Sequence, residues 1–480
     1  MAALDLTLLR QQCLVNGTWT GQANQVIRNP ADGSVIGSVP DLGGAGAIMA
    51  VEAASAAFPA WSAMVAKDRG LVLRRFADLL AQKADALAAI LTAEQGKPLA
   101  EARGEVLSAA GYIDFFADEA RRIRGEVIPS HRQDSRILVL RQPIGVVAAI
   151  TPWNFPAGMV ARKIGPALAA GCTVVLKPAP ETPFTALAMA AVAQEAGLPP
   201  GVLNVITGDA AAIGEVFCTH PAVRFIGFTG STAVGKQLMR QAANGVKKIG
   251  LELGGHAPFI VLEDADLDAA VEGAMIAKFR NMGQTCVCAN RFWLHASIHD
   301  AFLERFTVQV AKLQLGRGDA AGITQGPLIN ERAIDKVERH ISDALTKQAR
   351  LLAGGQRSTL GGTYFEPTVL CDISDDMLIA REETFGPVAA VSRFTNDADL
   401  VTRANAGEYG LAAYLYGRDL SRVIRLAEQL EYGMVGINAV ALGTEQAPIG
   451  GFKQSGIGRE GSHHGIEEYC EMKYLLVGGI

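Results

Sequence analysis

The residues best equipped for chemistry lie in the segment Phe279-Arg280-Asn281-Met282-Gly283-Gln284-Thr285-Cys286-Val287-Cys288-Ala289-Asn290-Arg291. A cysteine in a turn between glycine, polar amides and two arginines is expected to have a lowered pKa and an exposed sulfur, the conditions for nucleophilic attack. A buried turn cysteine is the plainer alternative and describes most isolated cysteines. Leu251-Glu252-Leu253-Gly254-Gly255 sets a carboxylate at the end of an apolar run. Such a glutamate is either an ion-paired structural residue or a general base whose pKa burial has raised. Pro152-Trp153-Asn154-Phe155-Pro156 follows another apolar run. The Asn154 amide there either faces a substrate oxyanion or makes an Asx turn between prolines.

Phosphate chemistry has its own candidates. Thr229-Gly230-Ser231-Thr232-Ala233-Val234-Gly235 ends an apolar run and opens a helical pattern. Its glycines allow close backbone approach, and a helix N-terminus offers amide donors to a phosphate. The segment does not match G-x-G-x-x-G, so an ordinary strand-to-helix turn is an equal reading. Lys177-Pro178-Ala179 ends a further run, where ligands of open α/β sheets gather, although most lysines are simply solvated.

The elements that must position these residues follow from hydrophobic period. Apolar residues at helical spacing predict a helix from Arg69 to Thr92, stopped by Gln95-Gly96-Lys97-Pro98, and a second from about Ala100 to Arg122. Between Ser135 and Ile150 the period changes to that of strands. From there to about residue 262, apolar runs at 144–150, 172–176, 202–206, 223–228 and 247–253 alternate with helical patterns near 157–170, 183–196, 209–218 and 232–243. That alternation predicts a parallel sheet with right-handed crossovers, hence a Rossmann-like nucleotide-binding domain. A strand from 256, a long helix from Asp266 and further alternation to about residue 440 predict a second α/β domain across a cleft.

Composition agrees with this class and excludes others. The 480 residues suit two or three domains, and 52 glycines with 49% hydrophobic residues suggest buried strands and many tight turns. A net charge of −5 with no Lys/Arg block argues against nucleic acid as a partner. The N-terminus lacks a basic stretch before a long apolar core, and Ile164–Leu176 is about half a membrane span and contains Pro166, so a soluble cytoplasmic protein with no membrane partner is expected. Seven scattered cysteines do not make a disulfide framework. Cys286-x-Cys288 has no second pair at zinc spacing, and His295 and His299 have no glutamate between them, so no metal is expected.

Taken together, PWNFP, KPAPETP, FTGSTAVG, LELGGHAPFIV, GQTCVCANR, EETFGP and PIGGFKQSGIGREG resemble the aldehyde dehydrogenase superfamily, in order from Val15 to Tyr474. FRNxGQTCVCANR and GREGSxxGIEEY look most like bacterial succinate-semialdehyde dehydrogenases, with glutarate-semialdehyde dehydrogenases close behind. The resemblance implies Cys286 as nucleophile, Glu252 as base, and Asn154 as oxyanion donor beside the backbone N–H of Cys286. It assigns Trp153, Lys177, Pro180, Gly230, Ser231, Glu383 and Phe385 to the cofactor and Cys288 to a redox cap on the nucleophile. It further implies a nucleotide domain (1–122 and 143–252), a catalytic domain (253–455) and a small β element (123–142 and 456–480) favouring homodimers or homotetramers. A base at Glu252 argues against transfer of the acyl group to CoA.

The substrate and cofactor readings rest on the same likeness. Arg162 and Arg280 match positions that clamp the distal carboxylate of a semialdehyde, which guanidinium suits through paired, charge-assisted bonds. Where these enzymes usually carry serine, this chain has Gly443 followed by Thr444. Succinate semialdehyde is the leading expectation. Glutarate semialdehyde, a sulfonated or hydroxylated acid aldehyde and a neutral aldehyde are the alternatives, and a catalytically silent protein of this fold is the reading from another class. Pro180 stands where NAD-specific members often carry a glutamate that repels a 2′-phosphate, so NADP or NAD is the expected cofactor.

Overall fold

The computed structural model describes residues 7–480; residues 1–6, where the expectation of no leader segment begins, lie outside them. Strands Val146–Ile150, Thr173–Lys177, Leu203–Val205, Val223–Thr229 and Lys248–Glu252 form a parallel core, flanked by short antiparallel strands from both chain ends. In spatial order, numbering the five by position in the chain, they run 3-2-1-4-5. Sequences such as Val-Val-Ala-Ala-Ile and Thr-Val-Val-Leu-Lys carry no polar alternation because helices cover both faces, and nearly every residue in them is buried. The connecting helices, Gly158–Ala170, Pro183–Glu195, Ala210–Thr219 and Thr232–Ala243, fall where the sequence pattern put them. Gly171 ends the first of these at φ 98°, a left-handed cap that glycine adopts without strain.

A second sheet of seven strands spans Ala257 to Ile437, parallel except at the edge strand Arg350–Ala353. Phe259, Phe279, Phe292, Phe302 and Phe306 fill one side of it. Ser135–Pro143 pairs residue for residue with Cys470–Gly478, and Glu126–Ile128 completes a small antiparallel sheet with Val127, Met472 and Tyr474 exposed. Gly456–Ile457 lies instead against Leu251 and Glu252 at the edge of the first sheet.

The expected single helix over Arg69–Thr92 is two, Ala66–Gln82 and Ala84–Gln95. Lys83 ends the first with ψ 14°, and both helices thereby turn apolar faces into one core. Among the described residues no single helix is long and apolar enough to cross a membrane.

Candidate active site

Strand order reverses between Val146–Ile150 and Val223–Thr229, and open α/β sheets bind ligands beyond the carboxyl ends at such a point. Register puts the candidate residues there together. Ile150 lies opposite Lys177 and Phe228, and Thr229 lies opposite Glu252. The Gly230 amide donates to the Glu252 carbonyl at 3.0 Å, fixing the turn against the glutamate. Ser231 caps the Thr232–Ala243 helix, and its exposed turn opens onto the same crevice.

Cys286 arrives from the other domain on an unusual loop. After the Leu267–Phe279 helix, Asn281, Met282 and Gly283 adopt φ of 50°, 57° and 72°. A left-handed residue other than glycine costs about 1–2 kcal/mol. Buried hydrogen bonds offset that cost. The Asn281 side chain donates to the carbonyls of Asn154 (3.1 Å) and Gln284 (3.3 Å) and accepts from Gln95 (3.0 Å), while its backbone N–H meets the Glu101 carboxylate. Asn154 in turn donates through Nδ2 to the Gln284 carbonyl at 3.0 Å. Beneath it, Lys97 Nζ donates to the Asn154 carbonyl (2.7 Å) and to Glu105 (2.6 Å), an ion pair with 1% and 3% of its side chains exposed. Glu105 also accepts the Ala157 and Gly158 amides that start the next helix. One network therefore sets the spacing between Asn154 and the Cys286 loop.

Cys286 lies where two cavities meet. The larger, about 470 Å³, is lined by Trp153, Asn154, Gly230, Ser231, Glu383 and Phe385, and by Lys336 and Arg332. Trp153 and Phe385 meet edge to face at 5.6 Å. Among the described residues Glu383 accepts from the Gly255 amide alone, at 3.0 Å, and burial pushes its carboxyl up to about 7, leaving an acceptor for hydroxyl groups. A helix N-terminus, flanking aromatic rings and a carboxylate with spare acceptor capacity suit a dinucleotide's phosphates, ring and ribose. Gly255 must be glycine, because a Cβ there would stand 2.3 Å from the Cys286 carbonyl oxygen.

The smaller cavity, about 100 Å³, is lined by Arg162, Arg280, Tyr112, Phe155, Glu252 and Gly443. Arg162 lies over the Tyr112 ring and Arg280 over the Phe155 ring, each at 5.1 Å. Among the described residues neither guanidinium has a carboxylate within ion-pair distance, and Arg162 Nε is buried without a partner. Gly443 leaves a gap beside Arg162, whose Nη2 would be 3.4 Å from a Cβ there.

Electrostatics correct one expectation. Cys286 is only partly buried, but its surface opens onto the two cavities, and desolvation pushes its thiol up to about 12 instead of lowering it. Arg162 opposes that rise, whereas Glu383 and Glu252 add to it. The segment's own arginines do not supply the expected field: Arg291 is bound to the Tyr432 hydroxyl and two backbone carbonyls, and Arg280 covers Phe155. Glu252 is also pushed well above the carboxylate range, first by burial and then by Glu460, while Lys163 and Arg162 pull it back. Glu460 is held by Lys163 in a buried pair and leaves its second oxygen unpartnered.

Four expected site residues line neither cavity. Lys177 is buried and donates to the Pro178 carbonyl, Pro180 is exposed beyond it, and Thr444 accepts from Gln446 within its own turn. Cys288 is buried with its sulfur toward the Lys278 carbonyl, and burial raises its thiol. The sequence reading missed Lys97, Glu105, Asn281, Lys163, Glu460 and Lys336. Asn281 and Glu460 stand inside quoted motifs without a role read for them, Lys97 stands in a Gly-Lys-Pro run that reads only as a helix stop, and Glu105, Lys163 and Lys336 carry no local signal.

Comparison with known proteins gives the same picture at the level of the whole chain. Residues 19–475 match the aldehyde dehydrogenase family. The chain is 55% identical to a glutarate-semialdehyde dehydrogenase of Pseudomonas aeruginosa, covering 100% of both, and 54% identical to a succinate-semialdehyde dehydrogenase [NADP(+)] of Escherichia coli, covering 99% of both. The crystal structure of succinate-semialdehyde dehydrogenase from Burkholderia pseudomallei superposes with a TM-score of 0.98 at 55% identity, covering 100% of each chain.

Proposed function

The chain belongs to the aldehyde dehydrogenase family, and from that premise we propose that it oxidises a short anionic semialdehyde, foremost succinate semialdehyde, to the acid with NADP or NAD. One observation carries the choice of substrate class: two guanidinium groups without carboxylate partners line the small cavity beside Cys286. A distal carboxylate would supply the partner they lack, through charge-assisted bonds.

Cys286 attacks the aldehyde carbon, forming a C–S bond. Its proton leaves to solvent through the larger cavity, so Glu252 stays free for its own later step. Asn154 Nδ2 and the Cys286 backbone N–H hold the oxyanion, each donor worth about 3–4 kcal/mol in comparable sites. Gly230, Ser231, Glu383, Phe385 and Trp153 would hold the dinucleotide, with Lys177 and Pro180 at the end of the neighbouring strand. When bound, its nicotinamide supplies a hydride acceptor. Hydride loss leaves a thioester on Cys286. Glu252 then takes a proton from water as the water attacks that thioester, releasing the carboxylate and restoring the thiol.

Glutarate semialdehyde is the second reading. The space left by Gly443 beside Arg162 admits one more methylene. Steady-state kinetics with succinate and glutarate semialdehydes and butanal, each with NAD and NADP, test both. A kcat/KM for butanal equal to that for the anionic aldehydes would overturn the anionic reading.

Exposed apolar side chains on the small antiparallel sheet, Met472 and Tyr474 on one face and Val127 on the other, suit a contact between copies in a homodimer or homotetramer, which light scattering would read out. Free cysteines throughout suit a reducing cytoplasm.

A further inference from the structure

A third cavity, about 360 Å³, lies within the second sheet's domain and is separate from the two that meet at Cys286. His256, Arg291, Trp293, Asp375, Arg381 and Arg403 line it. The segment Gly254-Gly255-His256 connects it to the active site, since Gly254 lines the larger catalytic cavity and His256 this one.

Two of its polar groups, His256 and Arg291, are buried and incompletely satisfied, while Arg381 is exposed. His256 is 2% exposed, and among the described residues neither ring nitrogen makes a hydrogen bond of acceptable geometry, although the Ala380 backbone is near. Burial and the Arg291 charge hold its imidazole neutral, so one nitrogen is a donor and the other an acceptor. Arg291 is 7% exposed, and among the described residues its hydrogen bonds go to neutral oxygens: the His256 and Ala404 carbonyls and the Tyr432 hydroxyl. Arg381 donates Nε to the Asp375 carbonyl and forms no ion pair among the described residues. Arg403, by contrast, is neutralised by two bonds to the Asp375 carboxylate. Glu408 at the rim is the remaining acid. The lining therefore carries one positive charge in excess, and its most buried cation has only neutral partners. Buried cations are ordinarily paired.

The rest of the wall is apolar. Trp293 is 3% exposed, with Arg291 and Arg403 against its ring at 4.9 and 5.7 Å, and Ile373, Ala380 and Ala390 complete it. A bare oxyanion would leave that wall unused.

We propose that this cavity is a binding site for a small organic carboxylate, its charge on Arg291 and Arg381, an oxygen accepting from His256, and its short hydrocarbon body against Trp293. The site is distinct from the catalytic clamp formed by Arg162 and Arg280.

The test uses the full chain and intrinsic tryptophan fluorescence at constant ionic strength. Butyrate is titrated against butan-1-ol, the uncharged analogue, and against inorganic phosphate. Gly407 also lines the cavity, and a Cβ there would have one neighbour, Arg291 Nη1 at 3.9 Å, so Gly407→Leu fills the space without backbone strain. Butyrate is expected to give a saturable change and butanol none. The response should be absent in Gly407→Leu and in Trp293→Phe and about tenfold weaker in Arg381→Gln, the loss of one charge-assisted bond. Gly407→Leu should retain the parent kcat/KM without butyrate, which also reports its folding. A butyrate response that persists in both Gly407→Leu and Trp293→Phe would assign the signal to Trp153 at the catalytic site and overturn the proposal. No saturable response, or one to phosphate alone, would overturn it too.

Discussion

Replacing Arg162 by methionine separates the two jobs its position gives it. The guanidinium lines the small cavity without an ion pair, and its charge also opposes the desolvation that raises the Cys286 thiol. Losing the second job slows every aldehyde equally. Losing the first harms only an aldehyde with a distal anion, and Arg280 remains to hold part of that charge. A charge-assisted hydrogen bond contributes about 1.5–3 kcal/mol, and a two-pronged contact approaches about 3–4 kcal/mol. The ratio of kcat/KM for succinate semialdehyde to that for butanal should therefore fall by about 10²–10³, whatever happens to either value alone. The long methionine stem keeps packing on Tyr112, and no carboxylate is stripped of an ion-pair partner, so the fold should survive. Stopped-flow NAD(P)H formation with both aldehydes measures the ratio. A ratio within about threefold of the parent's would refute the clamp, since the shared loss of thiol activation cancels from it.

Three further outcomes follow from the geometry. Glu252→Gln should preserve a burst of NAD(P)H near one per site while slowing turnover by about 10²–10⁴, because hydride loss precedes the step that needs the base; a burst lost along with turnover would move Glu252 to an earlier step. Both Cys286 and Glu252 have raised pKa values, so their ionised forms are gained as pH rises. Iodoacetamide labelling of Cys286 in the free protein should accordingly climb about tenfold per pH unit from 7 to 10, and a plateau below pH 8 would contradict the buried-thiol account. Lys97→Met leaves the buried Glu105 carboxylate without its cation and should cost about 3–5 kcal/mol in urea unfolding, largely recovered in Lys97→Met/Glu105→Leu; equal losses in the single and double variants would show that the pair is not the cause.

What could be read in the sequence was what depends on neighbours along the chain. Continuous apolar runs announced the parallel strands, and glycines such as Gly96 and Gly171 announced turns at helix ends, so the switch point between Ile150 and Thr229 could be anticipated with Asn154 and Gly230 beside it. The break at Lys83 was hidden, because both helices keep their apolar period across it. Charge environment was the larger failure. Cys286 has two arginines nearby in sequence, yet folding turns one toward Tyr432 and lays the other over Phe155, while the cation that acts on the thiol, Arg162, comes from a helix in the other domain. Lys97, Glu105 and Asn281 form one network across more than 180 positions of the chain, which no window of sequence displays.

The same non-local charge balance bears on how the nucleophile is switched on. One buried cation, Arg162, faces the Cys286 thiol and the Glu252 and Glu460 carboxyls together. Its opposing charge is already present when burial pushes the thiol up to about 12, so Arg162 alone does not make the thiolate, and a substrate carboxylate adds only negative charge. The semialdehyde therefore cannot be what turns the thiol into a thiolate. The larger cavity is the remaining source: an oxidised nicotinamide held there would supply positive charge in a space whose own acid, Glu383, raises the thiol. Cofactor first and aldehyde second is the order this charge balance predicts. A thiol kept protonated until then is spared from alkylation and oxidation in the resting protein.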